Sequence, residues 1–390
     1  MNYRNLLILT LSQSLGFCAA PLIIFAGGVT GTKLAPSPAW ATLPIAAMVV
    51  GVALATVPAA LIMKKIGRRW GFIAASLLAA MASLAAAHAI GAKSFSLFCG
   101  AILLIGANLA FIQQYRFAAA ESVDVQHVSK AISFVLLGGI AAGFLGPELA
   151  KRTKNLLDLG DYAGSFASLA ILYLLVAGLL FFLREPRSPS EAATGRGRPL
   201  REVITQPGYL IAVLGGMVAY GVMSFIMTAT PISMHVIDGH SLDTTAGVIQ
   251  SHVVAMYLPA LFTGALIARW GAARVMVIGL LATVACVLFA LSGHQSWIYW
   301  MALVLLGIGW NFQFLGATVM LTANYRPEER FKAQAVNDFV IFGTQALMSL
   351  SAGAVIHRAN WEILNLITLP FLILVLLTML FLRRYFVRAA

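Results

Sequence analysis

"ALIMKKIGRRWGF" (Ala60–Phe72) and "GALIARWGAARVM" (Gly264–Met276) share one design: an apolar run, a short turn carrying glycine and basic residues, then a second apolar run. Aligned, they put Gly67 on Gly271 at an offset of 204 residues. Two further matches follow in the same order. "GANLAF" at Gly106 pairs with "GWNFQF" at Gly309, bringing Asn108 onto Asn311 at an offset of 203. "SFVLLGG" at Ser133 pairs with "DFVIFGT" at Asp338 at an offset of 205. A nearly constant offset over three ordered matches marks a duplicated unit.

The repeated unit is made for lipid. Of 390 residues, 60% are hydrophobic and 10% charged, with a mean hydropathy of +0.89. Soluble domains carry about 25% charged residues, so this chain cannot cover itself with polar surface. Apolar runs of roughly 20 residues, the length that crosses a bilayer, predict twelve spans. They lie near 5–27, 41–62, 70–90, 95–117, 131–150, 163–183, 208–233, 246–267, 274–293, 297–321, 335–356 and 362–382. The first continues to Val29, too long for a signal-peptide core. Between the sixth and seventh, "REPRSPSEAATGRGRPLREVITQP" (184–207) breaks the pattern with Pro, Gly, Ser and Arg and reads as a cytoplasmic linker. The expectation is an all-α membrane protein of two six-helix pseudo-repeats, residues 1–183 and 208–390.

The net charge of +12 records topology. Twenty of the 26 lysines and arginines fall on the side that holds both termini; only Lys33, Lys93, Lys151, Arg152, Lys154 and Arg358 fall opposite. By the positive-inside rule both termini are cytoplasmic, and no nucleic-acid partner is implied. The three cysteines (Cys18, Cys99, Cys286) sit in apolar runs with neither disulfide nor zinc spacing. No nucleophile–base pattern or phosphate-cradling loop occurs, which argues against an enzyme and against an ATP-driven engine. No resident cofactor is expected.

Soft donors stand out among the apolar residues. "MSFIM" places Met223 and Met227 four apart on span seven, and "HVVAM" places His252 and Met256 four apart on span eight. Residues i and i+4 share a helix face. At 1.5 Å per residue the four fall into two layers about 9 and 15 Å below the outer surface. Thioethers select Cu(I) and imidazole tolerates it, so convergence of these faces would make a neutral metal path. Met is also an ordinary filler of apolar gaps, whereas His252 is the histidine deepest in a span, where ionisable groups are costly and functional. Cys18, Met48 (the repeat mate of His252), Met234, His235 and His240 are further donors that could gather or pass an ion. Asn108, Gln113, Gln114, Asn311 and Gln313 either line a cavity or bond between helices. Glu148 and Asp338 are the acids nearest to spans, and the sequence leaves proton coupling and uniport equally open.

The turn after span two resembles the signature of the major facilitator superfamily, Gly-x3-Asp-(Arg/Lys)-x-Gly-(Arg/Lys)-(Arg/Lys). Lys65, Gly67, Arg68 and Arg69 match, while Ala60 and Lys64 replace its first Gly and its Asp. The second copy keeps Gly264, Arg269 and Gly271, with Ala268 for the acid. MxxxM followed by HxxxM is similar to the pattern of the CcoA-like bacterial copper importers, a branch that also holds relatives thought to carry riboflavin. That resemblance implies metal-ligand roles for Met223, Met227, His252 and Met256, with copper as cargo. It also implies alternating access in a bacterial inner membrane, supply of copper for oxidase maturation and a cytoplasmic copper chaperone as recipient. A monomer in the lipid bilayer is expected. The alternatives are a carrier of a small organic molecule, riboflavin-like or a drug, and a membrane-embedded metal sensor.

Overall fold

The computed structural model describes residues 3–37, 40–185 and 197–381. Among them are twelve helical segments long and apolar enough to cross a membrane. They are α1 (Tyr3–Leu34), α2 (Leu43–Ile66), α3 (Arg68–Gly91), α4 (Phe95–Glu121), α5 (Val125–Arg152) and α6 (Ala163–Phe181), then α7 (Pro207–Ile237), α8 (Leu242–Trp270), α9 (Ala272–Ala290), α10 (Ser296–Thr322), α11 (Pro327–Arg358) and α12 (Trp361–Phe381). Each expected span falls on one of these helices. Residues 186–196 of the expected linker, with Arg187 and Arg196, lie outside the described residues, as do Arg383, Arg384 and Arg388 of the charge count.

Side-chain caps start several helices. Ser94, Ser241 and Asn360 accept backbone N–H bonds at the N-termini of α4, α8 and α12. The turns at Gly67 and Gly271 have φ of +85° and +84°, the left-handed region where a side chain is strained. The aligned glycines of the repeat therefore do the same backbone work twice. Several helices are interrupted: α8 at Leu258–Pro259, α5 at Leu137, and α7 by a π-helical stretch, Ile232–Ile237, directly after Pro231.

The chain divides into two compact units. Unit 1 comprises Met1–Asp124, Phe134–Ala192 and Gln334–Phe339; unit 2 comprises Val125–Ser133, Ala193–Ala333 and Val340–Ala390. The short stretch 334–339 of α11 thus belongs with the first repeat, and 125–133 of α5 with the second. In unit 1 the main packing joins α2 to α4, α3 to α6 and α3 to α4; in unit 2, α10 packs against α7, α8 and α9.

Glycines set the closest approaches. A Cβ on Gly106 of α4 would lie 2.2 Å from the Met48 carbonyl oxygen of α2, and one on Gly51 would lie 2.1 Å from that of Leu103. In unit 2 a Cβ on Gly307 of α10 would lie 2.8 Å from the His252 carbonyl. Met48 and His252 are repeat mates, so both units seat the same turn of helix against a glycine. The outer faces carry exposed leucines such as Leu54, Leu84, Leu288 and Leu347, which only a lipid solvent accommodates at this density.

Candidate functional site

The four soft donors all lie in unit 2. Met223 and Met256 are buried, Met227 is half-buried and His252 is fully enclosed. Their helices, α7 and α8, each pack against α10 over far more of their length than against one another. His252 is fixed by α10: its Nδ1 lies 2.8 Å from the Leu303 carbonyl oxygen. A carbonyl only accepts, so Nδ1 carries the proton and the neutral ring leaves Nε2 with a bare lone pair. That atom is buried and has no hydrogen-bond partner. Such a lone pair can coordinate a cation or accept from an N–H or O–H group of a cargo. Among the described residues no group of three or more His, Cys, Asp or Glu is arranged to hold a metal ion.

Beside the α8 break, Asn311 of α10 donates through Nδ2 to the Met256 carbonyl at 2.7 Å and accepts from the Thr263 hydroxyl at 2.7 Å. Gln313 donates to Thr283 of α9 at 2.8 Å. Both amides therefore tie helices of unit 2 together. Broken helices survive in a membrane when neighbouring polar side chains serve the groups near the break.

Aromatic rings gather around Trp310 of α10. Tyr220 of α7 and Tyr257 of α8 meet its ring edge-on at 5.2 and 5.6 Å, and Phe314 stacks on it at 5.1 Å. Phe342 of α11 packs against Tyr220 at 5.2 Å. The Trp310 indole N–H is buried and has no acceptor. Unit 2 thus encloses an unpaired acceptor at His252 and an unpaired donor at Trp310. They are seven residues apart along α10, taking Leu303 as the level of His252, which is about 10 Å of helix.

Unit 1 holds a different chemistry. Arg68 forms a two-point bond with Glu121, through Nε at 2.7 Å and Nη2 at 2.6 Å, and also donates to Gln114 and Gln334. Gln114 passes the chain on to Asp338 at 2.6 Å, and Arg116 pairs with the same carboxylate at 2.5 Å. Asn337 donates to Asp338 at 2.9 Å, and the Arg116 guanidinium also sits over the Phe117 ring at 4.5 Å. Glu185 accepts the backbone N–H groups of Arg68 and Arg69 at the start of α3, where a carboxylate favours the helix dipole. A carboxylate from outside the turn thus serves the start of α3. Arg68 and Arg116, counted in sequence as loop charges, are 1% and 2% exposed. Glu121 and Glu185 carried no signal beyond their charge, because their partners are remote in sequence.

The other expected donors have local roles. Cys18 bonds to the Ser14 carbonyl, His235 to that of His240, and Glu148 pairs with Arg152 one helical turn away on the exposed face.

Comparison with known proteins shows the family and corrects the copper expectation. A family described as the Major Facilitator Superfamily matches residues 6–258 and 214–389. The riboflavin transporter RfnT of Brucella anthropi is 42% identical over 375 residues, covering 96% of this chain and 94% of that protein. The uncharacterised MFS-type transporter YddS of Bacillus subtilis is 27% identical, covering 93% of this chain and 87% of that one. Among solved structures, the transporter FucP in its outward conformation has a TM-score of 0.72 at 16% identity, covering 95% and 98% of the two chains. A bacterial homologue of the iron transporter ferroportin, outward-facing, has 0.73 at 14%, covering 96% and 98%. At such identities these two share the fold.

The copper-import reading is overturned by the 42% identity to a riboflavin transporter across nearly the whole chain. Its physical weakness lay in the donor set. Thioether pairs at helical spacing are equally good packing residues, and a neutral imidazole with one free lone pair accepts hydrogen bonds as readily as it binds metal. A duplicated six-helix unit, twelve membrane helices and the family match together make this multi-pass membrane chain a transporter, not an enzyme, and a member of the Major Facilitator Superfamily.

Proposed function

We propose that the chain carries riboflavin, or a flavin closely similar to it, into the bacterial cytoplasm by alternating access in the inner membrane. Both termini would face the cytoplasm, as the 20-to-6 split of basic residues favours. The observation that carries the cargo is the identity to RfnT along the length of both chains.

Chemistry inside unit 2 supports the same reading. An isoalloxazine is a flat aromatic ring system with an imide N–H flanked by carbonyls. Rings such as those of Tyr220, Tyr257 and Trp310 suit a planar aromatic, and stacking on one is worth about 1–3 kcal/mol. The bare Nε2 of His252 suits the imide N–H, and the free indole N–H of Trp310 suits a carbonyl. Met223 and Met256 supply polarizable contacts for a ring edge.

A riboflavin-auxotrophic bacterium expressing the chain tests the proposal. Growth on low riboflavin and accumulation of radiolabelled riboflavin above empty-vector cells are expected, with cell copper content unchanged. Accumulation no greater than in vector controls, from protein present in the membrane, overturns it.

A further inference from the structure

At the end of unit 2 remote from the Gly271 turn, one imidazole joins three segments. His294, in the α9–α10 turn, places Nδ1 2.8 Å from Asp238 Oδ2, in the α7–α8 turn. Its Nε2 lies 2.7 Å from Glu362 Oε1, in the first turn of α12. Tyr299 of α10 donates to the same Asp238 oxygen at 2.7 Å, and Ser233 of α7 bonds to the Tyr299 oxygen at 2.6 Å. His240 bonds through Nε2 to the His294 carbonyl, and His235 through Nδ1 to the His240 carbonyl.

Proton counting singles out one of these three histidines. His235 and His240 each make one ring bond to a carbonyl, which requires one N–H, and a neutral ring supplies it. His294 makes two ring bonds, each to a carboxylate oxygen. Two carboxylates and a neutral imidazole own a single N–H between them, one too few for both bonds. The trio must therefore hold one extra proton. The groups facing His294 are Asp238 and Tyr299, Glu362 on α12, and His240 through the backbone; among the described residues no lysine or arginine bonds to either carboxylate.

We propose that Asp238, His294 and Glu362 form a single-proton site that clasps the α7–α8 turn, the α9–α10 turn and the start of α12, and that losing the proton releases the clasp. Deprotonation removes one of the two ring bonds and leaves two carboxylates beside a neutral ring. The segment set free next to it is the π-helical stretch Ile232–Ile237, whose last turn is closed by the Asp238 N–H to Ser233 carbonyl bond at 2.9 Å. Under the topology proposed above, this end faces outside, so external acidity would hold the clasp shut whatever molecule is carried. The Asp238 hydrogen bond, against some opposing burial and with help from Glu362, raises the His294 pKa above its ordinary value near 6.5. A histidine raised in this way keeps its bonds below the ordinary pKa and loses them as pH climbs through the raised one.

Hydrogen–deuterium exchange on the full chain in lipid nanodiscs reads the clasp without any cargo, so its outcome stands apart from the riboflavin test. Peptides covering 232–241 and 291–299 should be protected at pH 6, after correction for intrinsic exchange. They should lose protection above the midpoint by up to about tenfold per pH unit, the limit for one proton. Glu362→Gln is the decisive variant: its amide N–H can donate to the neutral Nε2, so the clasp needs no extra proton and protection should persist at pH 8.5. His294→Ala should be unprotected at both values. Wild-type protection that ignores pH, or a Glu362→Gln profile that follows the wild type, overturns the proposal.

Discussion

Replacing Asp338 by Leu would remove the carboxylate that pairs with the Arg116 guanidinium in the interior of unit 1. The two side chains are 2% and 1% exposed and meet at 2.5 Å. Without the carboxylate, the contacts Arg116 keeps include the Gln113 side-chain Oε1 at 3.1 Å and the Phe117 ring at 4.5 Å, and Gln114 loses its acceptor on Asp338. Removing one partner of a buried pair costs about 3–5 kcal/mol, because the remaining charge is left uncompensated. At about 1.4 kcal/mol per decade, the folded-to-unfolded ratio falls roughly 10²- to 10³-fold or more. Arg116→Met alone strands the carboxylate and should cost a similar amount. The double variant removes both charges and should recover most of the loss, since apolar replacement of a buried pair is commonly near neutral. Denaturant unfolding of the purified chain in mild detergent, taken around the whole double-mutant cycle, measures the coupling. Additive single costs, or an Asp338→Leu variant within about 0.5 kcal/mol of wild type, would refute the idea that this pair stands as a desolvated unit.

Other substitutions test the glycines and the cargo. Gly67→Ala and Gly271→Ala both force an L residue to positive φ, at a cost of about 1–2 kcal/mol; Gly67→Ala should cost more in thermal denaturation, because its Cβ would also meet Glu185 at 2.8 Å while Gly271 has open space. Gly106→Val should destabilise by about 1–3 kcal/mol or more against the Met48 carbonyl. Gly100→Ala, with nothing within 4 Å, should stabilise by up to about 1 kcal/mol in the same assay. Trp310→Leu should raise the riboflavin KM several-fold, read from initial uptake rates, and His252→Ala should do so without altering cell copper; unchanged riboflavin kinetics in both would remove unit 2's interior from the cargo path.

The membrane helices were legible because lipid imposes a length and a composition that few other environments demand. The repeat was legible because its glycines answer backbone needs that recur at Gly67 and Gly271. Buried charge was not. Arg68 and Arg116 stand at span ends, where a sequence shows a basic residue and a rule assigns it to the loop; what buries them is Glu121, Glu185 and Asp338, up to 222 residues away. The cargo was misread for a related reason. Donor type states what an atom is able to bind, whereas His252 is defined by what Leu303 already takes from it and what remains. The His294 clasp draws on three turns, and no spacing along the chain could have assembled it.

Backbone pressed on backbone at Gly106 and Gly307 leaves α2 and α4, or α8 and α10, no slack to slide along each other. A carrier must nonetheless rearrange on every cycle. Flexing then falls to points where the helical ladder is already cut, among them Leu137 in α5, Leu258–Pro259 in α8 and the stretch after Pro231 in α7. Close backbone packing thus bears on where such a molecule can bend: the His252 turn is held to α10, and the break in α8 lies less than two turns beyond it.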